Sequence, residues 1–486
     1  MHSFDSTRRD FLALASAALA GVPAHGAESL TRQATGVKVG EVTPTSARIW
    51  ARRTKGSSRR VGGVRPTPGL KATVLPLGYD VGRLDGACPG DEGQLRVIVR
   101  DSKGKTVHKT DWAEVNASQD FTHQFAVSGL APATAYKFTV EARGEKKVEG
   151  KEGTTMRTDG ALHGAFRTAP PEDALTAVDI AMLSCQKYSE RDSRECGFQI
   201  YDAIAKWAPH CLLSVGDNVY YDSDDPKVNA VSVARHHWHR MYSQPSLVDC
   251  LRKVPGYWLK DDHDCYSDDC WPGYVDEKMK PFTFEEGLRL FPEQAPLGAV
   301  PYRRFRWGRS LEMFMLEGRD YRAGNKEPDS AAKSIWGAQQ KAWLLDGLNK
   351  SDAQWKLIVS PGPLVGPDRK NKHDNHSNDA FETEGREFRK WLTQNSRVTD
   401  TVWVNGDRHW QYHSVDPESK VNEFCCGAAS DSLASGTPGE DPAKHRFHRV
   451  KGGFLAIRVQ VNGSKSELVL EHRDVLGNKV YGHTFA

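Results

Sequence analysis

No stretch of this 486-residue chain is apolar for long enough to cross a bilayer. The apolar run Phe11–Ala20 has ten residues, against the ~20 that a spanning helix needs. The sequence also lacks a Gly-x-Ser-x-Gly nucleophile elbow, a His-Glu-x-x-His helix and a Gly-rich phosphate loop ending in Gly-Lys-Ser/Thr. Those absences set aside serine-hydrolase, zincin and nucleoside-triphosphatase chemistry. Net charge is small: 66 basic residues face 63 acidic ones, a formal +3. Such a balance argues against a general nucleic-acid-binding surface, and the local run Arg303, Arg304, Arg306, Arg309 reads as a solvated face, with a phosphate-facing patch as the alternative. Internal repeats and low-complexity segments are absent too. Charged residues make up 27% of the chain, so a globular protein of two or three domains is expected.

The first residues read as an address. Ser6, Thr7, Arg8, Arg9, Asp10, Phe11 and Leu12 form a twin-arginine motif, followed by the apolar run and by small residues over Val22–Ala27. Residues 1–27 are therefore expected to be a cleaved signal, cut between Ala24 and Ala27. A partner in the twin-arginine export machinery and a periplasmic or secreted destination follow. Nine cysteines are an odd number for an exported protein. If Cys185 serves a metal, the other eight permit up to four disulfides, whose pairing spacing alone does not give.

Residues 34–170 read as an all-β sandwich domain. Val37–Val42, Ala47–Ala51, Leu95–Arg100, Phe121–Val127 and Tyr136–Ala142 are short strand-like runs separated by Gly- and Pro-rich turns. Leu130, Pro132, Thr134 and Tyr136 are similar to the tyrosine corner of fibronectin type III-like sandwiches, and Ala165–Thr168 is expected as the last strand. Over residues 175–486 strands alternate with helices, an α/β pattern. Phe198, Tyr201, Ile204 and Ala208 share one helical face, as do Trp336, Gln340, Trp343, Leu344 and Leu348, with Ser334 as a possible cap. Continuous apolar runs such as Leu311–Leu316 and Trp355–Ser360 suit strands covered on both faces.

Four of these strands end in possible metal ligands. Val178–Leu183 runs into Ser184, Cys185 and Gln186, and Cys211–Val215 into Gly216, Asp217, Asn218, Tyr220, Tyr221 and Asp222. Gly256–Leu259 leads through Lys260 to Asp261, Asp262, His263 and Asp264, and Thr401–Val404 to Asn405, Gly406, Asp407, Arg408 and His409. Open α/β sheets place their sites at the carboxyl ends of strands. One carboxylate such as Asp217 can bridge two ions. A thiolate from Cys185 and a phenolate from Tyr220 lower the cost of holding a trivalent cation, which favours ferric iron. Three carboxylates beside His263 would repel one another without a cation. Arg235–Arg240 reads as a solvated helix, with phosphate contact as the alternative, and the run His373–Asp379 either as a polar loop or as part of the site's wall. Met313 and Met315 read as core.

Taken in order, the blocks Ser184–Cys185–Gln186, Gly216–Asp217 with Tyr220, Asp261–Asp264, Gly318–Arg319–Asp320–Tyr321–Arg322 and Gly406–Asp407–Arg408–His409 resemble the alkaline phosphatase D (PhoD-like) family of the calcineurin-like metallophosphoesterase superfamily. The resemblance spans nearly the whole chain after residue 34. It implies a two-layer metallophosphoesterase β-sandwich flanked by helices, behind a fibronectin type III-like domain. It implies Fe3+ with one or two Ca2+. Cys185, Tyr220 and His409 would hold the iron, Asp217 would bridge, and Asp262 and Asp407 would hold the second metal. His263 would be the catalytic histidine at the scissile phosphate, with Asn218 and Arg319 contacting substrate. Leu259 and Lys260 separate Trp258 from Asp261 where the family has Trp directly before the Asp pair, so Asp261 stays open as an alternative to Asp262. The family's isolated histidine ligand has no clear match. The implied activity is hydrolysis of phosphate monoesters, diesters or both. A phosphodiesterase acting on lipid or cell-wall diesters and a non-enzymatic surface-binding protein with a decayed site are the rival readings.

Overall fold

A computed structural model describes residues 31–66, 73–147 and 154–486. The twin-arginine segment 1–27 lies outside the described residues.

The chain opens with β1 (Val37–Gly40) and β2 (Ser46–Arg52), then β3 (Gly93–Arg100), β4 (Thr106–Lys109), β5 (Ala113–Val115), β6 (Thr122–Ser128), β7 (Ala135–Lys147) and β8 (Thr154–Arg167). This region is all-β, as the turn spacing predicts. β4, β3, β7 and β8 form an antiparallel sheet, with β5 on β3. The last strand is a long one that ends at Arg167, where the sequence predicts a short Ala165–Thr168. The Tyr136 hydroxyl accepts a hydrogen bond from the Ala131 N–H at 2.8 Å, which is the geometry of a tyrosine corner.

The rest of the chain carries β9 (Val178–Leu183), α1 (Gln199–Trp207), β10 (Cys211–Val215), α2 (Val231–Tyr242), α3 (Pro245–Leu251), β11 (Gly256–Leu259) and α4 (Phe284–Gln294). Next come β12 (Arg303–Trp307), β13 (Leu311–Met315), α5 (Gly337–Lys350), β14 (Trp355–Ser360), α6 (Glu382–Gln394) and β15 (Thr401–Asn405). It closes with β16 (Gln411–Val415), β17 (Asn422–Cys425), β18 (His445–Arg449), β19 (Phe454–Asn462), β20 (Lys465–Arg473) and β21 (Lys479–Phe485). One sheet has the order β21-β20-β19-β9-β10-β11-β1-β2-β6, and a second the order β12-β13-β14-β15-β17-β16-β18. The first sheet therefore takes strands from both sides of residue 170; β1 joins β11 in parallel, with Gly40 opposite Gly256.

Alternation along each strand builds the layers. Ile180, Met182, Leu213 and Val215 point from the first sheet toward Met313, Met315, Leu357, Val359 and Val404 of the second, in one shared core. The opposite faces are covered by helices. Ala181, Leu183 and Leu212 pack with Ile200, Tyr201 and Ile204 of α1, and Phe314, Ile358 and Trp403 with Leu344, Leu348, Phe388 and Leu392 of α5 and α6. Both faces of these strands are thus buried, which is why they read as continuous apolar runs. The result is a helix–sheet–sheet–helix sandwich behind an all-β region.

One expectation fails here. The run Arg235–Arg240 is not a solvated helix: His236, His237, Trp238, His239 and Arg240 of α2 are buried. His239 reaches Asp120 beside β6 at 2.5 Å, a contact from a distant part of the chain that no local pattern announces. The cysteines form no disulfides; all nine are unpaired, and only Cys196 is exposed. Among the described residues no helix is long and apolar enough to cross a membrane.

Candidate metal centre

β9, β10 and β11 are parallel neighbours, so their carboxyl ends, carrying Cys185, Asp217 and Asp261–Asp264, lie side by side. β15 brings Asp407 and His409 from the second sheet. The two sheets meet closely at this edge: a Cβ on Gly406 would lie 2.3 Å from Ser184 Oγ and 2.4 Å from the Val215 carbonyl oxygen, so no side chain fits there. Ser184 Oγ donates to the Val215 carbonyl at 2.9 Å and so ties β9 to β10 beneath the site.

Three residues at these strand ends adopt left-handed backbone conformations that non-glycine residues seldom take: Cys185 at φ 54°, Asp217 at φ 54° and Asp407 at φ 62°. Such outliers cost about 1–3 kcal/mol each and persist where a site requires them. Here the strained turns aim the side chains inward instead of along the strands.

The donor atoms converge. The Cys185 thiol lies 3.3 Å from Asp217 Oδ2, the Tyr220 hydroxyl 3.0 Å from the same oxygen, and the Tyr220 hydroxyl 3.2 Å from His409 Nε2. Cys185, Asp217 and His409 offer ligand atoms within 4.8 Å of one another; so do Asp217, Asp262 and His263, and so do Asp262, Asp268 and Asp269. Asp217 belongs to two of these groups and Asp262 to two. The second oxygen of Asp217 is buried without a hydrogen-bond partner, an arrangement that is costly unless something else occupies it.

Electrostatics point the same way. Burial, and then the neighbouring Asp217 carboxylate, push the Cys185 thiol and the Tyr220 phenol well above their ordinary ranges. Burial raises Asp217 strongly as well, reinforced by Asp262 and Asp261. His409 is depressed to about 3 by burial and by His263. The shifts of Cys185, Tyr220 and Asp217 disfavour their anionic ligand forms, a balance that a bound cation would reverse, whereas the lowered His409 keeps the neutral imidazole that a metal takes. Thiolate, phenolate, imidazole and carboxylate together fit a Lewis-acidic metal ion.

His263 is oriented by a residue five beyond Asp217. Its Nδ1 donates to Asp222 Oδ1 at 2.7 Å, and the Asp222 carboxylate also accepts the Asp268 N–H at 3.0 Å. That leaves Nε2 as the ring nitrogen that can face a ligand. Burial by itself would lower the pKa of His263, but Asp222, Asp262 and Asp217 raise it well above the usual histidine range.

The profile of the PhoD-like phosphatases matches residues 180–450. The chain belongs to the PhoD-like phosphatase family. A solved structure of PhoD shares the fold with a TM-score of 0.67 at 16% identity, over 96% of this chain and 90% of that one. The purple acid phosphatase PPD1 from yellow lupin (Lupinus luteus) seeds gives a TM-score of 0.62 at 12% identity, over 92% of this chain and 73% of that one. No curated protein sequence matches the chain. This PhoD-like phosphatase therefore has a metallophosphoesterase-type fold, and the family implies metal ions at the site.

Against the sequence expectations, the PhoD-like site divides cleanly. Cys185, Asp217, Tyr220 and His409 meet at one point, and Asp262 and His263 stand next to them. Asp261 does not join these groups: Arg319 Nε donates to its Oδ1 at 2.6 Å. Asp407 turns toward its neighbour Arg408, and with Asp261, Arg319, Arg322 and Asp374 it lines a small cavity behind the centre. The loop His373–Asp379 reaches that cavity through Asp374, Asn375 and His376.

The two expected substrate contacts are placed elsewhere. The Asn218 side chain is buried; its amide donates to the Leu259 carbonyl at 2.9 Å and to Asp264 at 2.5 Å, and its oxygen accepts from Ser214 at 2.7 Å. All its capacity is spent between strands. Arg319 is likewise buried, paired with Asp261 and donating to the Cys270 carbonyl at 3.1 Å. Both are supports of the ligand loops. Lys372 is the residue that sequence reasoning missed; Asp222 and Asp264 were visible in the strand-end clusters, but their supporting roles toward His263 and Asn218 were not.

Proposed function

We propose that this chain is an exported, metal-dependent phosphoesterase that hydrolyses phosphate monoesters, diesters or both. The observation that carries the proposal is the meeting of the Cys185, Tyr220, His409 and Asp217 donor atoms beside Asp262 and His263. In this proposal Cys185, Tyr220 and His409 would hold Fe3+, with Asp217 shared between the ions, and Asp262 would hold Ca2+, joined by Asp407 if its carboxylate turns from Arg408. The thiolate and phenolate favour the trivalent ion, and the all-carboxylate second set favours a hard divalent one. Bound there, the metals would supply Lewis acidity, activating a water and neutralising charge on the phosphoryl group.

The chain's own part is positioning and proton control. His263, held at Nδ1 by Asp222, presents Nε2 to donate a hydrogen bond or a proton to the leaving oxygen. The buried walls, Tyr220 above all, limit water around it. The twin-arginine motif at Arg8 and Arg9 supports export in the folded state, so that metals are loaded before translocation. Replacing both arginines by lysine should retain the protein in the cytoplasm.

The test is hydrolysis of p-nitrophenyl phosphate and bis-p-nitrophenyl phosphate at alkaline pH with calcium, by the native protein and by Asp217→Asn. Activity lost in the variant establishes the reading, and the ratio of the two rates chooses between monoesterase and diesterase, including a diesterase acting on lipid or cell-wall diesters. Metal-replete protein inactive on both substrates would sink it, and would return attention to a non-enzymatic role.

A further inference from the structure

Beyond the metal ligands, one cation reaches the site from a distant loop. Lys372 follows β14, in the turn closed by its N–H donating to the Arg369 carbonyl at 3.1 Å. Its ammonium lies 2.7 Å from both oxygens of Asp269 and 3.0 Å from Asp268 Oδ1. The same Asp268 Oδ1 lies 3.8 Å from His263 Nε2. A single carboxylate oxygen thus sits between the free ring nitrogen of the expected catalytic histidine and a lysine ammonium.

The three side chains differ in how firmly they are held. Those of Lys372 and His263 are enclosed, at 12% and 13% exposure, whereas that of Asp268 is 61% exposed. Asp269 is anchored, since its N–H donates to Asp262 Oδ2 at 2.6 Å. Lys372 therefore keeps one carboxylate partner if Asp268 leaves. Asp268 can swing into solvent at little cost, because a surface ion pair contributes at most about 1 kcal/mol. What it vacates is a place for one anionic oxygen with two donors facing it.

We infer that Lys372 and His263 Nε2 form the subsite for a charged oxygen of the substrate's phosphoryl group, and that the Asp268 carboxylate fills this subsite until substrate displaces it. The inference rests on the phosphoesterase reading above and adds to it a substrate-binding residue and an internal competitor. Lys372 then favours substrates with more negative charge on the phosphoryl oxygens, so a monoester dianion gains more from it than a diester monoanion.

The experiment is titration calorimetry of the metal-loaded protein with inorganic phosphate, alongside KM for p-nitrophenyl phosphate. Native protein, Asp268→Asn, Lys372→Met and the double variant are compared. Asp268→Asn should bind phosphate up to about fivefold more tightly, because a competing contact of at most about 1 kcal/mol is gone. Lys372→Met should bind it about 10–100-fold more weakly. In the double variant the gain from Asp268→Asn should disappear, which marks the two as acting through one subsite. Equal phosphate affinity in native protein and Asp268→Asn overturns the inference, and this exposed substitution carries no folding risk. Weaker phosphate binding together with lost calcium in Asp268→Asn would also overturn it, by making Asp268 a metal ligand. Native protein that neither binds phosphate nor turns over would remove the phosphoesterase reading itself, and this inference with it. Native protein that binds phosphate while both variants match it removes only the inference.

Discussion

Asp264 and Asn218 are joined by two hydrogen bonds: the Asn218 backbone N–H donates to Asp264 Oδ2 at 3.0 Å, and its side-chain amide donates to the same oxygen at 2.5 Å. The other oxygen of Asp264 accepts the Asp261 N–H at 2.6 Å. One buried carboxylate thereby fixes the loop after β10, which carries Asp217, against the loop after β11, which carries Asp262. Neither Asp264 nor Asn218 is among the converging donors, yet their bond sets the spacing of residues that are.

Asp264→Ala should therefore both destabilise the fold and loosen the site. Three donors lose their acceptor, and each buried unsatisfied group costs about 1–3 kcal/mol. A total loss of about 2–5 kcal/mol is expected in denaturant unfolding, with reduced metal content in the purified protein. Native-like stability would mean that water or a shifted backbone replaces the carboxylate.

Asp222→Asn should act on the reaction through His263. The neutral amide keeps the shape but removes the charge that holds the ring protonated against burial. The pKa of His263 then falls, so activity that needs its proton is lost at a lower pH than in the native protein. A drop in kcat of about tenfold or more is expected, with KM little changed and the alkaline limb of the kcat profile moved down. An unmoved limb would remove His263 from the role of acid.

Colour reports on the proposed iron ligands. Thiolate and phenolate on ferric iron absorb visible light by charge transfer, so the native protein should be coloured and Tyr220→Phe should lose or shift that band. Cys185→Ser should weaken iron retention measured by elemental analysis. A colourless, iron-free protein with full activity would exclude ferric iron.

Stability should fall in mild acid because of α2. Burial holds His236 and His237 well below the ordinary value of 6.5, and His239 at about 4. Between pH 6.5 and 4 the unfolded chain takes up protons that the folded chain refuses, so stability present above 6.5 is lost as pH falls through that window. The thermal midpoint should drop from pH 7 to pH 4.5, less steeply in His239→Gln. A midpoint that tracks pH identically in both would contradict the assignment.

How much of this was legible in the sequence depended on range. β9, β10 and β14 begin and end where their mainly apolar runs do, because a strand covered on both faces is built mostly of apolar side chains until it leaves the sheet. The candidate ligands Cys185 and Asp217 follow within two residues of the β9 and β10 exits, and Asp262 follows the exit of β11, so their candidacy is written locally. The tyrosine corner at Tyr136 is equally local.

What only the tertiary structure decided is which polar groups are spent on one another. Asn218 and Arg319 look like substrate contacts in one dimension, but strands brought together from elsewhere supply partners that turn both inward. His239 looks solvated until Asp120, 119 residues away, is folded against it. Lys372 lies in a loop with no motif of its own and meets Asp268 and Asp269 across more than a hundred residues. Hydrophobic periodicity is a property of neighbours along the chain and so can be read from it. The satisfaction of buried charge depends on neighbours in space, and those exist only once the two sheets have closed.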